Sequence, residues 1–363
     1  MTVSDERSEN DPTPVEPAYD PMNEPNEPED RGRPPLPIII SGVLIIALIG
    51  VGLAFLLPSG PVREVDQLIP TPAPTIAGQP LPTQPPLPEA VGDASSAEVI
   101  VEVGDGTIVR GDFVRYYQPG SDPTETLDQL IQIELVVQAA ATEGVIANEA
   151  AVDERIAQIK ELQAGGDPAM FQSMLDQAQI GTEENLRRLL LRDEVVQQMI
   201  LRYTIAEQAR ARHILLSTEG ITEEAQLADV QREAEALLDQ IEGGADFATL
   251  ATENSDDPGS AQNGGDLGWA LRGLFVEPFD NAVFSMQVGE RRLVQTQFGW
   301  HIIELLNAPE VRPLDNAGLL ETGPGQMAFG ETFLPWIEQL QQQAEAASRI
   351  KILIPAEQLV SAP

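Results

Sequence analysis

The chain is 363 residues long, carries a formal net charge of −37 at pH 7 and contains no cysteine. The length allows two domains and further segments, and the lack of cysteine excludes a disulfide framework or a thiolate metal site. So much acid disfavours binding to nucleic acid, whose phosphates it would repel. We interpret the charge as a means of solubility in an exposed compartment; a role in attracting basic client proteins is the alternative.

Residues 1–35 are predicted to form a disordered acidic tail. They are rich in proline and acid and contain almost no apolar side chains. Such a segment cannot bury enough surface to offset the entropy cost of ordering its backbone.

Residues 36–57 are uncharged and almost entirely apolar. At about 1.5 Å per residue, a helix of this length spans a hydrocarbon core of about 30 Å, so we predict one transmembrane helix. A cleaved signal peptide is the alternative, but the run starts late and no small-residue cleavage site follows Leu57. Arg31 and Arg33 precede the span, which favours a cytoplasmic N-terminus. The prediction is a single-pass cell-membrane protein with the remaining chain extracytoplasmic.

Residues 58–97 contain ten prolines. Proline at this density favours extended polyproline II, so the segment is predicted to be a semi-rigid linker that holds the following domains away from the membrane. A ligand for a proline-binding module is the alternative.

Residues 98–209 are predicted to form a mainly helical domain. Two short strands are expected at 99–103 and 107–109 around a glycine turn, followed by four helices. Thr124 is the expected cap of the first helix, Asp167 and Pro168 begin the third, and Thr182 begins the fourth. The apolar stripes of these helices are interpreted as core; alternatively, Met170, Met174 and Met199 line a groove for client proteins, because methionine suits adaptable surfaces.

Residues 210–308 are predicted to form an α+β domain, a small sheet with helices packed on it. Strands are expected at 211–216, 267–270, 291–296 and 300–306, and helices at 222–242, 246–253 and 278–284, with a loop at 255–265.

The last part of the chain is divided into a loop at 309–330 and a terminal helix and strand at 331–363. A helix and a strand cannot form a core of their own. We therefore expect this terminal piece to pack on another part of the chain.

Five separated blocks within residues 211–306 carry a recognisable pattern, and the chain's only two histidines lie in the first and last of them. The blocks are Ala-Arg-His213-Ile-Leu-Leu, Asn-Ser-Asp-Asp257-Pro-Gly, Gly-Gly-Asp-Leu267-Gly-Trp, Phe275-Val-Glu-Pro-Phe279 and Thr296-Gln-Phe-Gly-Trp-His301-Ile-Ile-Glu-Leu. In this order they resemble the parvulin family of peptidyl-prolyl cis/trans isomerases. The strand–turn–helices arrangement before them is similar to the N-terminal chaperone domain of SurA-like and PrsA-like secretion chaperones.

The resemblance implies an isomerase that rotates the X–Pro bond, with a four-stranded antiparallel sheet as its fold. Partial double-bond character sets the rotation barrier near 20 kcal/mol, but no bond is broken, so neither a metal nor another cofactor is expected. A twisted amide has lost its resonance. A dry apolar cup for the proline ring and polar groups that favour the twisted form therefore suffice.

The resemblance also implies roles for individual residues. His213, Asp257, Thr296 and His301 match the polar catalytic positions, with the histidines at the floor of the site and the aspartate towards the substrate carbonyl. Substrate-binding positions of the family are matched by Leu267, Phe275, Val276, Phe279 and Phe298. Phe298 stands where some members have serine, and Val276 where some have glutamine.

Several alternatives accompany these assignments. The aspartate could be Asp256 instead of Asp257, because the loop is about one residue longer than in some members. Asp257 could be a turn residue, and Phe275 or Phe279 a core residue. The histidines could hold the shape of the site without a chemical role. No basic cluster marks the loop, which disfavours a preference for phosphorylated substrates.

The sequence as a whole predicts a membrane-anchored, extracytoplasmic isomerase and foldase. Its expected partners are unfolded or nascent exported polypeptides that contain X–Pro bonds. The resemblance to the secretion chaperones also implies that the C-terminal helix completes the chaperone domain, with Trp336 and Leu340 buried against the helices of residues 124–205. Two alternatives remain, a non-catalytic holdase that keeps the parvulin fold for peptide binding and a scaffold that tethers partners at the membrane.

Overall fold

A computed structural model describes residues 96–360 of the chain. The predicted acidic tail, the transmembrane helix at 36–57 and all but the end of the linker lie outside these residues. No helix within residues 96–360 has both the length and the hydropathy that a membrane crossing requires.

The N-terminal part of the described chain begins with a hairpin and continues with five helices. The elements are β1 (Val99–Val103), β2 (Gly106–Val109), α1 (Arg110–Tyr116), α2 (Pro123–Thr142), α3 (Glu149–Gln158), α4 (Pro168–Gln177) and α5 (Glu183–Tyr203). The N-cap of α2 is Asp122, whose carboxylate accepts the Thr124 N–H at 2.8 Å, so the prediction that Thr124 caps this helix was wrong. Asp167 and Thr182 cap α4 and α5 through their side chains, at the positions that the sequence indicated.

The second part contains the larger sheet and the C-terminal elements. These are β3 (Ile205–Ser217), α6 (Glu224–Glu242), α7 (Phe247–Asn254), β4 (Asp266–Leu271), α8 (Glu277–Val283), β5 (Arg291–Thr296), β6 (Gly299–Pro313), α9 (Gly323–Ala328), α10 (Leu334–Ala346), β7 (Ile350–Ile352) and α11 (Ala356–Val360).

The larger sheet has four antiparallel strands in the order β4-β3-β6-β5, as predicted for the α+β domain. One face packs against α8, and the core between them includes Ala211 of β3, Leu305 of β6 and Val283 of α8. The opposite face packs against α6 and α7, and the core there includes Ile214 of β3 and Phe247 of α7. Because side chains alternate along each strand, these two cores fix which residues of β3 and β6 face α8.

Two predictions about residues 309–330 and the start of β3 were wrong. β3 begins at Ile205 and β6 continues to Pro313, where the two strands pair directly, and the expected loop also contains α9 and a 3-10 turn. Pro309 suggested a loop. It lies where the register between β3 and β6 shifts, and a proline is tolerated at such a bulge because no ladder hydrogen bond is lost there.

A hydrophobic cluster, here called the shared core, joins helices α2 and α5 to the C-terminal elements and to one end of β4. Its buried members include Val136, Met199, Leu271, Leu319, Phe329 and Trp336. Trp336 is 6% exposed, and its ring stacks on that of Tyr203 at 3.9 Å between centroids, while Leu340 is half-buried against the same cluster. Strand β7 extends the β1–β2 hairpin into a three-stranded sheet.

The three methionines considered for a client groove have different environments. Met199 is fully buried in the shared core, which excludes it from a groove, and Met174 is half-buried against the α3–α5 core. Met170 is 54% exposed.

Candidate active site

The two histidines meet because of the register between β3 and β6. His213 lies opposite Ile303 and His301 lies opposite Leu215, so the histidines are diagonal neighbours on the face that packs against α8. Their rings are nearly parallel, with 5.4 Å between centroids, and the two Nδ1 atoms are 3.1 Å apart. Both side chains are buried, at 6% and 4% exposure.

Thr296 reaches the same face from β5. Val294 pairs with His301, and Thr296 is two residues further along the strand, so its side chain has the same orientation. The Thr296 hydroxyl lies 2.8 Å from His301 Nε2, and the hydroxyl oxygen accepts the backbone N–H of Phe298 at 3.1 Å.

The loop after α7 brings an aspartate to the other end of the histidine pair. Asp257 Oδ2 lies 2.8 Å from His213 Nε2 and also accepts the Ser260 hydroxyl, while Oδ1 accepts the Gly259 N–H at 3.0 Å. Asp256 points elsewhere and accepts the Ser217 backbone N–H at 2.8 Å. The structure thus selects Asp257 over Asp256 as the residue that contacts the histidines.

Gly265 allows this loop to approach β3 closely. The His213 backbone N–H donates to the Gly265 carbonyl at 2.9 Å. Gly265 has φ of +79°, and a Cβ atom there would lie 2.1 Å from the His213 carbonyl oxygen. Only glycine meets both requirements.

Two groups in the site, Asp257 and His301, have pKa values below their ordinary values. Burial favours the neutral form of Asp257, but hydrogen bonds from Ser260, His213 and Gly259 outweigh burial and lower its pKa to about 2. Burial lowers the pKa of His301 to about 4, and His213 adds to the effect while Asp257 opposes it. Above about pH 5, Asp257 is therefore ionised and His301 is neutral.

When both imidazoles are neutral, the ionised carboxylate fixes the order of the protons along the chain of hydrogen bonds. The ionised Asp257 can only accept, so His213 Nε2 donates to it, and the neutral form of His213 accepts at Nδ1 from His301 Nδ1–H. His301 Nε2 then accepts the Thr296 hydroxyl proton. All donors point in one direction, from the Phe298 N–H towards the carboxylate, and every ring nitrogen is satisfied.

An apolar surface, here called the cup, borders the histidine pair. It consists of Leu267, Phe275, Val276 and Phe279, which belong to one cluster. Phe279 is 3% exposed and stands perpendicular to both imidazole rings, at 5.5 and 5.1 Å between centroids. Phe275 is half-buried and lies 4.8 Å from Phe279. Phe279 therefore forms the base of the cup, and the three half-buried residues form its walls.

Phe298 and Ser260 have surroundings that the local sequence did not predict. Phe298 is 50% exposed in the β5–β6 turn, and its backbone N–H donates to the Thr296 hydroxyl oxygen. Ser260, which the sequence analysis did not select, is 3% exposed and donates to Asp257. Its position three residues after an aspartate in a turn sequence is the signal that could have identified it.

No group of three or more histidine, aspartate and glutamate side chains is arranged to hold a metal ion within residues 96–360. Histidine is the strongest candidate ligand in this chain, and both imidazoles already use both ring nitrogens in the hydrogen bonds above.

Residues 196–308 match the family model described as the PPIC-type PPIASE domain. This part of the chain is a PPIC-type, that is parvulin-type, peptidyl-prolyl isomerase domain, as the resemblance implied.

Curated relatives extend the similarity beyond this domain. The Chaperone SurA of Alkalilimnicola ehrlichii is 36% identical over 151 residues, which are 40% of this chain and 34% of that protein. The Foldase protein PrsA of Geobacillus sp. is 27% identical over 229 residues, 60% of this chain and 75% of that protein. A Probable parvulin-type peptidyl-prolyl cis-trans isomerase of Bordetella pertussis is 37% identical over 124 residues, 33% of this chain and 47% of that protein. The chain thus spans about a third of the length of the SurA relative and about half that of the Bordetella relative.

Proposed function

We propose that the chain is a peptidyl-prolyl cis/trans isomerase that assists the folding of exported polypeptides. The observation that carries this proposal is the continuous hydrogen-bonded chain Thr296–His301–His213–Asp257 beside the cup. The isomerase-type domain and the relatives named as chaperone and foldase support the same conclusion.

The proposed mechanism uses shape and polarity alone. The proline ring of the substrate lies in the cup against Phe275, and the amide carbonyl faces the polar end of the site at Asp257. A planar amide carries more charge on its oxygen than a twisted one, so an ionised carboxylate disfavours the planar form and lowers the barrier to rotation. The fixed histidine pair keeps Asp257 and the cup at constant separation, which reduces the reorganisation needed for each turnover.

The remaining predicted segments complete the proposal. Residues 36–57 would anchor the chain in the cell membrane with the N-terminus cytoplasmic, the tail at 1–35 inside and the linker at 58–97 outside. Residues 98–209, together with 331–363, would form the chaperone domain that holds unfolded clients near the isomerase domain at 210–308. Neither nucleic acid nor a cofactor has a part in this proposal.

A protease-coupled assay with an Ala-Ala-Pro-Phe peptide tests the catalytic proposal on the full-length protein. We expect the wild type to accelerate isomerisation and Asp257→Ala to lower kcat/KM by roughly tenfold or more, since the charge that faces the carbonyl is removed. Asp256→Ala is the matched control, because it removes a neighbouring carboxylate that accepts the Ser217 N–H and does not contact the histidines within residues 96–360.

Two outcomes would contradict the proposal. A wild-type rate equal to the spontaneous rate, together with suppressed aggregation of an unfolded client, would identify a holdase. Equal losses in the two aspartate variants would show that Asp257 has no specific role in turnover.

A further inference from the structure

The segment that joins β4 to α8 contacts two different cores within five residues. Leu271, the last residue of β4, is buried in the shared core, and Leu274 is half-buried against it. The next two residues, Phe275 and Val276, pack in the cluster that forms the cup. The walls of the cup therefore follow directly, in sequence, from residues held by the helical part of the chain.

Further contacts limit the freedom of this segment. The Gly273 N–H donates to Asp280 Oδ1 of α8 at 2.8 Å, and a Cβ atom at Gly273 would lie 3.7 Å from Pro324 of α9. The Arg272 guanidinium lies 4.3 Å from the centre of the Phe284 ring and pairs with Glu207 of β3. The segment is thus fixed between the C-terminal elements on one side and the helix that carries Phe279 on the other.

Close packing gives these contacts a consequence for substrate binding. Leu274 and Phe275 share one planar peptide unit, so a shift of the leucine side chain out of the shared core moves the start of the cup wall with it. Most of the shared core is formed by residues outside the matched domain, including Val136 of α2 and Phe329 and Trp336 near the C-terminus. The position of the cup wall consequently depends on the packing of the helical part.

We propose that Leu274 is a positioning residue for the cup, through which the helical part of the chain sets the affinity of the isomerase site for X–Pro segments. This inference rests on the proposed function. Leu274 itself does not touch the proline ring in this proposal; it acts through Phe275 and Val276.

Steady-state kinetics of the full-length protein test the proposal with a matched pair of variants. Leu274→Ala and Leu340→Ala remove the same atoms from half-buried leucines of the same core. We expect Leu274→Ala to raise KM by roughly tenfold with kcat nearly unchanged, because the cup wall contributes to uniform binding. Leu340→Ala should leave KM unchanged, and the conservative Leu274→Met should restore it. Partial unfolding would instead lower the apparent kcat without changing KM, so the two parameters separate positioning from loss of structure.

Hydrogen exchange provides a readout that does not depend on activity. The amides of Phe279 and Asp280 donate to the Val276 carbonyl, and they report whether the cup wall keeps its place. We expect faster exchange at these two amides, by roughly tenfold, in Leu274→Ala and in the shared-core variant Phe329→Leu, but not in Leu340→Ala.

Equal exchange in all variants, or equal KM values for the two alanine variants, would overturn the inference. If the wild type lacks isomerase activity, the proposed function fails, whereas the exchange data still decide whether Leu274 positions the cup.

Discussion

At the scale of single residues, the site depends on every ring nitrogen of its two histidines having a hydrogen-bond partner. Buried imidazoles with unsatisfied nitrogens are costly, and in this site Thr296 and Asp257 supply the terminal partners of the histidine pair. With both imidazoles neutral, the direction of the hydrogen bonds follows from the ionised carboxylate at one end. Loss of either terminal partner therefore affects both histidines.

Thr296→Val is expected to weaken the site from the end opposite to Asp257. The substitution keeps the shape but removes the hydroxyl that donates to His301 Nε2, which leaves a buried acceptor unsatisfied and costs about 1–3 kcal/mol of stability. Urea unfolding measures that cost, and the peptide assay should show a parallel fall in kcat/KM. Thr252→Val serves as the control, since Thr252 is exposed and donates to backbone carbonyls of its own region. Equal effects of the two substitutions would contradict a special role for Thr296.

The depressed pKa of His301 predicts how stability depends on pH. Its folded pKa of about 4 lies below the ordinary value of 6.5, so the unfolded chain takes up a proton at higher pH than the folded chain does. The contribution of the neutral ring to the free energy of unfolding is complete above pH 6.5 and is lost as the pH falls towards 4. His301→Gln should consequently show a smaller loss of stability between pH 6.5 and 4 than the wild type, measured by urea unfolding at several pH values.

Two other groups, Asp257 and Asp193, also change the stability of the protein with pH. Asp257, with a pKa lowered to about 2, loses its contribution only below its ordinary value of 3.8, outside the histidine window. Burial raises the pKa of Asp193 to about 6 against the opposing charge of Arg155, so the folded chain binds that proton first and the Asp193 contribution to stability increases as the pH falls. Both effects are present in the wild type and in His301→Gln, so they cancel when the pH profiles of stability of the two proteins are subtracted. Identical pH profiles would show that His301 is not held neutral by the fold.

At the scale of secondary-structure elements, the register of β3 against β6 and the close approach of the 255–265 loop place the site residues. Local sequence patterns predicted the strands, but the diagonal placement of the histidines depends on which residues pair across the sheet. The approach of the loop depends on the backbone of Gly265.

Gly265→Ala is expected to disrupt the loop and the site together. The new Cβ atom would meet the His213 carbonyl at 2.1 Å in a left-handed backbone conformation, so the loop must move away from β3. Gly268→Ala is the matched control, because Gly268 also has a positive φ, +68°, but no atom lies within 4 Å of its Cβ position. The control should cost about 1–2 kcal/mol for the backbone conformation alone. We expect Gly265→Ala to show a larger fall in the urea midpoint and a loss of kcat/KM that the control does not share.

At the scale of the whole described chain, the shared core connects the helical part, the C-terminal elements and the end of β4. A ribbon formed by the beginning of β3 and the end of β6 provides a second connection, since Ile205 pairs with Pro313. The isomerase-type domain is thus integrated into its surroundings through packed side chains and through the backbone pairing of β3 with β6.

Trp336→Ala should destabilise this connected structure strongly. Trp336 is buried and stacked on Tyr203, and truncation of such a residue costs about 3–5 kcal/mol. Trp269→Ala is the control: Trp269 is half-buried, and the Arg312 guanidinium lies 4.1 Å from the centre of its ring, so we expect a loss of about 1 kcal/mol. Urea unfolding of the two variants measures these losses. A similar shift of the urea midpoint for both variants would argue against Trp336 as a central residue of the shared core.

The sequence alone determined the order and type of most elements, because helix caps, apolar periods and glycine stops are local signals. Asp167 and Thr182 mark helix starts that the structure retains. The five blocks that resemble the parvulin family likewise lie in short stretches whose order can be read directly from residues 211–306.

Only the tertiary structure decided which side chains meet. His213 and His301 are separated by 88 positions, and their contact depends on the strand register, while the choice of Asp257 over Asp256 depends on the path of a loop against β3. The extension of β6 through Pro309 and the shared core around Leu271 and Trp336 arise in the same way, from partners distant in sequence. Local patterns specify what an element can bury, whereas packing between elements selects the partner that each residue contacts.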